Sequence, residues 1–477
     1  MTRIPLEIPE VSARNRAARR GRAPAERPPS DRVYGRLHWT LIGLIAAIIL
    51  YGLVVARFLP PTRGVGFRLV IVIVLCFNLL WWSVADRRFT RHIGGEGWAR
   101  VLRGIVLIFA IVLNVPMVLT LILGRLPWFL NHDPPWYAMA FTLWHLGLVS
   151  LMPIVALLRL CGLGVLRLAD NRRKDSATSA AEARSGARSD ALPTRRALLK
   201  TAFAYAPMAG LAVLTGAAYA QRNRFEINRR RLAAPWLPDG LRGLTITHLS
   251  DLHLGRHFRP HMLGPVVEAA NGLNSDLVMV TGDVVDVSND FLPDAIDALR
   301  QIEHRHGLFL CLGNHDEIDS RQDYIAAMKR CFPLLINERR TLTIGGHRLT
   351  VGGLDYAADE QPRGRRPGYL ADIAAMLDGY SPRRDGPLIA LSHHPHAFDL
   401  LASAGVPLTL AGHTHGGQLM LSAPDRRPDA GVGRLLFRYL RGFYSIGDRT
   451  LFVNRGIGNW FPLRWNAAAE VVQIQLV

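Results

Sequence analysis

The chain has 477 residues, with 57 Lys+Arg against 38 Asp+Glu and a formal net charge of +19, yet its mean hydropathy is slightly positive at +0.13. Hydrophobic residues at 49% exclude a wholly disordered chain, and four cysteines (Cys76, Cys161, Cys311, Cys331), none in a CxxC pair, exclude a disulfide-stapled scaffold. The charge is unevenly placed: residues 221–477 hold 29 Lys+Arg and 27 Asp+Glu, net +2, which leaves +17 for residues 1–220. A domain of net +2 lacks the basic footprint of a nucleic-acid binder, so no nucleic-acid partner is expected.

Residues 1–38 form a basic tail with nine arginines. Apolar runs follow at 39–59, 67–85, 104–124, 136–158 and 201–220, each long enough to cross roughly 30 Å of hydrocarbon as a helix and lacking a polar face. They predict an all-α transmembrane region of about five helices: four over 39–160, a basic linker over 161–198, and a fifth helix or internal signal over 199–220. Arginines cluster before the first run and between the second and third, so the positive-inside rule places the N-terminus in the cytoplasm. The expectation is therefore a multi-pass protein of the bacterial inner membrane, with residues 221–477 on the extracytoplasmic side and the bilayer as a partner.

The fifth run carries a second signal. Thr194-Arg195-Arg196-Ala197-Leu198-Leu199-Lys200 resembles the twin-arginine export consensus, and Ala218-Tyr219-Ala220 fits the small-residue pattern of signal peptidase cleavage. Twin-arginine export machinery is thus a candidate partner. A positive-inside anchor explains the same residues, and both readings stay open.

Beyond residue 243, short Leu- or Val-rich runs alternate with helical patterns, as in an α/β domain. Leu244–Leu249 ends in Ser250-Asp251-Leu252-His253, and Leu277–Thr281 ends in Gly282-Asp283-Val284-Val285-Asp286. Leu308–Leu312 ends in Gly313-Asn314-His315-Asp316, Leu388–Leu391 in Ser392-His393-His394-Pro395, and Leu408–Ala411 in Gly412-His413-Thr414-His415-Gly416-Gly417. Five strands thus deliver Asp, Asn or His at their carboxyl ends, the edge where open α/β sheets bind ligands. Carboxylate, imidazole and amide oxygen suit Mn, Fe, Zn or Mg, and there are too many such groups for one ion. Two divalent ions are expected, an arrangement that stabilises attacking and leaving oxygens in displacement at phosphorus.

The motifs DLH, GDVVD, GNHD, SHHP and GHTHGGQ, in this order over residues 243–475, resemble the calcineurin-like metallophosphoesterase superfamily. Together with Val453-Asn454-Arg455-Gly456-Ile457-Gly458 and Pro462-Leu463-Arg464, the ending GHTHGGQ looks like its bacterial membrane-associated branch, whose members often carry anchors or twin-arginine signals. Ala467-Ala468-Ala469-Glu470 departs from that pattern, since relatives usually have prolines before the glutamate. The resemblance implies a four-layer α/β/β/α sandwich over 221–477. It also implies that Asp251, His253 and His415 hold one metal, that Asn314, His393 and His413 hold the other, and that Asp283 bridges them. A metal-bridging hydroxide would be the nucleophile, His315 would face the substrate, and Asp316 is the candidate to orient His315. His394 is the alternative to His393 as ligand.

The neighbours of these motifs have plainer readings. His248, His257 and His261 are expected to be surface residues or hydrogen-bond partners of ligands, Asp286 such a partner, and Cys311 a core residue. Arg363–Arg366 fits either an anion grip or a solvated run, and Leu435–Tyr444 either a lipid contact or core.

The function expected is a membrane-anchored, two-metal phosphoesterase acting on a phosphomonoester or phosphodiester, with an envelope lipid or sugar phosphate among the candidates. The resemblance offers UDP-2,3-diacylglucosamine pyrophosphate hydrolysis in lipid A synthesis as an alternative, against which the expected topology stands. The alternative of another class is a non-catalytic, metal-stabilised binding module.

Overall fold

The computed structural model describes residues 213–356, 367–423 and 428–477, together with scattered positions among the first 212. By its internal contacts the chain separates into two compact units, Met1–Arg125 and Leu126–Val477. The first unit contributes isolated helical residues, among them 71–76 and 111–115. Most of the five apolar runs, the twin-arginine stretch and the loop Arg363–Arg366 lie outside the described residues. Among the described residues no helix is long and apolar enough to cross a membrane. That finding overturns the expected multi-pass inner-membrane placement with an extracytoplasmic domain.

In the second unit, eleven described strands form two sheets. The first has the order β1-β11-β2-β3-β4, built from β1 (Phe225–Leu232), β2 (Thr245–Leu249), β3 (Leu277–Thr281), β4 (Gly307–Cys311) and β11 (Ala469–Leu476). The second has the order β5-β6-β7-β8-β10-β9. It is built from β5 (Glu338–Ile344), β6 (His347–Gly353), β7 (Leu388–Leu391), β8 (Leu408–Ala411), β9 (Gly442–Ile446) and β10 (Arg449–Val453). Strands β2, β3 and β4 run parallel, as do β6, β7, β8 and β10, so each sheet gathers several carboxyl ends at one edge.

The alternation of side chains explains the layering. In β3, Leu277 and Met279 join Ile389 and Leu391 of β7 and Leu408 and Leu410 of β8 in one buried cluster, which is the seam between the sheets. Val278 and Val280 point the other way, into a cluster with α1 (Leu263–Asn271), α2 (Leu292–Arg300) and α3 (Arg321–Lys329). Across the second sheet, Leu388 and Ala390 pack against Ile373 and Met376 of α4 (Pro367–Leu377). Strands buried on both faces read as continuous apolar runs, which is why β3 (LVMVT) and β7 (LIAL) show no polar alternation.

The helices follow from spacing. In α1 the buried residues are Leu263, Val266, Val267 and Ala270, one stripe at helical period. Helix α3 begins at Ser320, whose hydroxyl accepts from the Asp323 N–H, and buries Tyr324 and Met328, one turn apart. Truncating a seam residue such as Met279 to Ala should cost about 2–5 kcal/mol.

Candidate metal centre

Each strand of the two parallel sets ends at the same rim, and the chain turns sharply there. Asp251, His253, Asp283, His413 and His415 all have positive φ, between 43° and 72°. For residues other than glycine that conformation costs about 1 kcal/mol or more each. Five strained backbones at one rim mean that the rest of the fold over-determines these side-chain positions. Gly313 has no alternative there, because a Cβ would collide with the amide nitrogen and Oδ1 of Asp283.

Two ligand groups result. In the first, His253 Nε2 and His415 Nε2 lie 2.9 Å apart, and Asp251 Oδ1 is 3.4 Å from the latter. In the second, Asn314 Oδ1 is 3.1 Å from His393 Nε2 and 2.9 Å from His413 Nδ1. Asp283 Oδ2 stands between them, 3.3 Å from His253 Nε2 and 3.2 Å from His393 Nε2. All seven residues expected as ligands are therefore brought together. His394 is not among them: its ring stacks on His413 at 4.5 Å while its Nδ1 accepts from the His396 N–H.

Protonation shows the tension in this cluster. Burial works against a charged His253, but Asp251, Asp286 and Asp283 prevail and push its pKa up to about 10. Burial opposes His393 as well, and Asp283 and Asp251 lift it to about 9. His415 goes the other way, held well below its ordinary value by burial and by His253 and Arg464. Two ring nitrogens 2.9 Å apart can share only one proton. Asp283 lies well below the usual carboxylate range because His393, His315 and His253 outweigh its burial.

Converging imidazole nitrogens and carboxylate oxygens of this kind fit borderline divalent cations; Asp251, His253 and His415 lie close enough to serve one ion, and so do Asp283, His393 and His413. His253 Nδ1 and His393 Nδ1 meet Asp286 Oδ1 at 3.3 Å and the Thr281 carbonyl at 2.7 Å. Those acceptors hold the proton on Nδ1 and turn Nε2 inward. A further grouping of His253, Asp286 and His315 contains this same contact of His253 Nδ1 with Asp286 Oδ1, so it reads as the orienting arrangement.

His315 sits at the opening with 19% of its side chain exposed. Its Nδ1 is 2.7 Å from the Asp286 carbonyl and 3.1 Å from Asp286 Oδ1. Asp286, not Asp316, therefore orients it, which corrects the sequence expectation. The Asp316 carboxylate is buried and accepts backbone N–H groups from Gly313, Asp283, Val284 and Val285 at 2.8–3.3 Å. Burial and the nearby Asp283 push its pKa up to about 6. Its work is to hold the turn after β3.

Other residues carry more, or less, than sequence reasoning gave them. Arg464 is buried, with Nη2 3.2 Å from His415 Nδ1 and its other N–H groups on neutral oxygens of residues 455–467. Phe437 stands edge-on to His413 at 5.7 Å, while Tyr439 and Leu440 are core. Cys311 is buried in β4, and burial pushes its thiol pKa up. Only the three-dimensional fold brings Arg464 to His415, 49 residues away.

Residues 244–417 match the family model described as calcineurin-like phosphoesterase. The chain carries a calcineurin-like metallophosphoesterase domain. A transmembrane protein with metallophosphoesterase domain from Danio rerio is 30% identical over 255 residues, 50% of this chain and 54% of that protein. Phosphodiesterase YaeI from Escherichia coli (strain K12) is 26% identical over 291 residues, 59% of this chain and 98% of that one. The chain spans little more than half the length of the first of these. Among solved structures, a dimetal phosphatase from Danio rerio covers 45% of this chain and 88% of its own at 13% identity, with a TM-score of 0.28.

Proposed function

We propose that the protein hydrolyses a phosphomonoester or phosphodiester with two divalent ions. Asp251, His253 and His415 would hold one ion, Asn314, His393 and His413 the other, and Asp283 both. The observation that carries the reading is the position of Asp283 Oδ2, within 3.3 Å of a ring nitrogen of each group. When bound, the ions supply Lewis-acid chemistry at phosphorus. The chain's part is placement. Asp286 accepts from His315 Nδ1–H and so turns Nε2 toward the opening; in the imidazolium form Nε2–H donates to an oxygen of the substrate and stabilises developing charge there.

The non-catalytic alternative has no use for an oriented, partly exposed His315. The test is turnover of p-nitrophenyl phosphate, bis(p-nitrophenyl) phosphate and a nucleotide pyrophosphate by the full-length chain loaded with Mn, Zn or Mg. Metal-dependent hydrolysis of any of them supports the reading. Absence of turnover across the panel, with metal bound, would favour the binding module.

A further inference from the structure

A buried hydrogen-bond chain leads away from Asp251 and ends on a histidine that the site does not use. His248, in β2, is fully buried. Its Nε2 lies 2.9 Å from Thr281 Oγ1, Thr281 Oγ1 is 2.7 Å from Ser250 Oγ, and Ser250 Oγ is 2.5 Å from Asp251 Oδ2. His248 Nδ1 is buried with no hydrogen-bond partner among the described residues.

Counting donors fixes the direction of every link. Burial pushes the pKa of His248 down to about 3, against the pull of Asp251, so the ring is neutral and carries one proton. A buried N–H without a partner is costlier than a bare acceptor, which places that proton on Nε2. Nε2–H donates to Thr281 Oγ1. The threonine hydroxyl then gives its only proton to Ser250, and Ser250 gives its own to Asp251. All donors point one way and end on a carboxylate, where the last bond is charge-assisted and the earlier ones reinforce it.

The consequence falls on one oxygen. Asp251 Oδ2 takes the Ser250 proton, the His413 N–H is shared between Oδ2 at 3.1 Å and Oδ1 at 3.0 Å, and Oδ1 alone faces His415 Nε2 at 3.4 Å and His253 Nε2 at 3.9 Å. Gly412 belongs to the same device, since a Cβ there would collide with Ser250 Oγ and Asp251 Oδ2. Thr281 also serves the second group, but through its main chain, whose carbonyl meets His393 Nδ1.

We infer that His248, Thr281 and Ser250 form a one-way hydrogen-bond relay that fixes the rotation of Asp251 and presents Oδ1 to the first metal group. His248 and Thr281 are then positioning residues. This rests on the two-metal reading above.

The test is calorimetric titration of the ion-stripped full-length chain with Mn2+, with melting followed by circular dichroism. Thr281→Val should weaken one of two Mn2+ constants about tenfold, whereas Thr281→Ser should stay within about two-fold of the native value. His248→Leu should behave like Thr281→Val, and His248→Gln, whose amide N–H can replace Nε2–H, like the native chain. Equal constants for Thr281→Val and Thr281→Ser would overturn the relay. Should the Val or Leu variant fail to fold, Ser250→Ala cuts the last link, and native-like Mn2+ binding by it also overturns the relay. A native chain that binds no Mn2+ removes the metal reading and the relay together. Two native sites with unaffected variants remove the relay alone.

Discussion

The two ligand groups share Asp283 but are built differently. The side chains of Asp251, His253 and His415 are at most 1% exposed, and two carboxylates, with Asp286 behind them, surround the ring nitrogens. Asn314 and His413 are partly exposed, and the amide oxygen of Asn314 takes the place of a second dedicated carboxylate. Burial strengthens charge interactions, and exposure weakens them. On the two-metal reading the buried group would retain its cation more tightly, and the other, at the opening beside His315 and Phe437, would meet the substrate.

The largest expected effect erases the comparison by removing what the groups share. Asp283→Asn takes the charge from both, so Mn2+-dependent turnover of bis(p-nitrophenyl) phosphate should fall by about 10²–10³ or more, as for loss of a strong charge-stabilising group. Elemental analysis should show both ions depleted. Loss of one ion alone would mean that Asp283 is not common to the two groups.

Separate deletions should sharpen the difference. His415→Ala should abolish the tighter Mn2+ constant and His413→Ala the weaker one, read by calorimetry on the ion-stripped chain. Equal losses, or the reverse order, would show that burial does not set the ranking. Protonation gives a milder handle. With no ion bound, His253 and His393 hold protons up to about pH 10 and 9, and a cation can bind only as they leave. Apparent Mn2+ affinity should therefore rise with pH below those values, by about tenfold per unit for each proton displaced. The ion-free fold moves oppositely. Both pKa values lie above about 6.5 in the unfolded chain, so their stabilisation is complete below that pH and lost as pH climbs through 9–10. The gap in Tm between Mn2+-loaded and ion-free protein should widen over pH 7–9, and a constant gap would count against these protonation states.

How much of this was legible in the sequence follows from what each part depends on. The expected runs Leu277–Thr281, Leu388–Leu391 and Leu408–Ala411 coincide with β3, β7 and β8, because a doubly buried strand is written in consecutive residues. The ligand motifs were legible for the same reason, since each lies directly after its strand. What could not be read are contacts between distant segments: Arg464 against His415, and Thr281 between Asp251 and His393. His248 looked ordinary because nothing near it in sequence says that its ring points into the seam beside Phe452.

The smallest effect on chemistry is expected from a residue that sequence proximity had made catalytic. Asp316 follows His315 directly, yet its two oxygens accept four backbone N–H groups and none from the imidazole. Asn keeps one oxygen and turns an NH2 toward backbone donors, so Asp316→Asn leaves some of them unpaired. Bonds to a charged group contribute about 1.5–3 kcal/mol each, and stability should drop by about 3 kcal/mol in urea unfolding. The turn it supports carries Asp283, so kcat should change, but by about tenfold or less in the folded protein, and its pH profile should keep the native shape. An oriented acid–base pair would behave differently: the profile would shift, and kcat would fall as far as in His315→Ala. That outcome would return Asp316 to the catalytic set and place Asp286 in the supporting role.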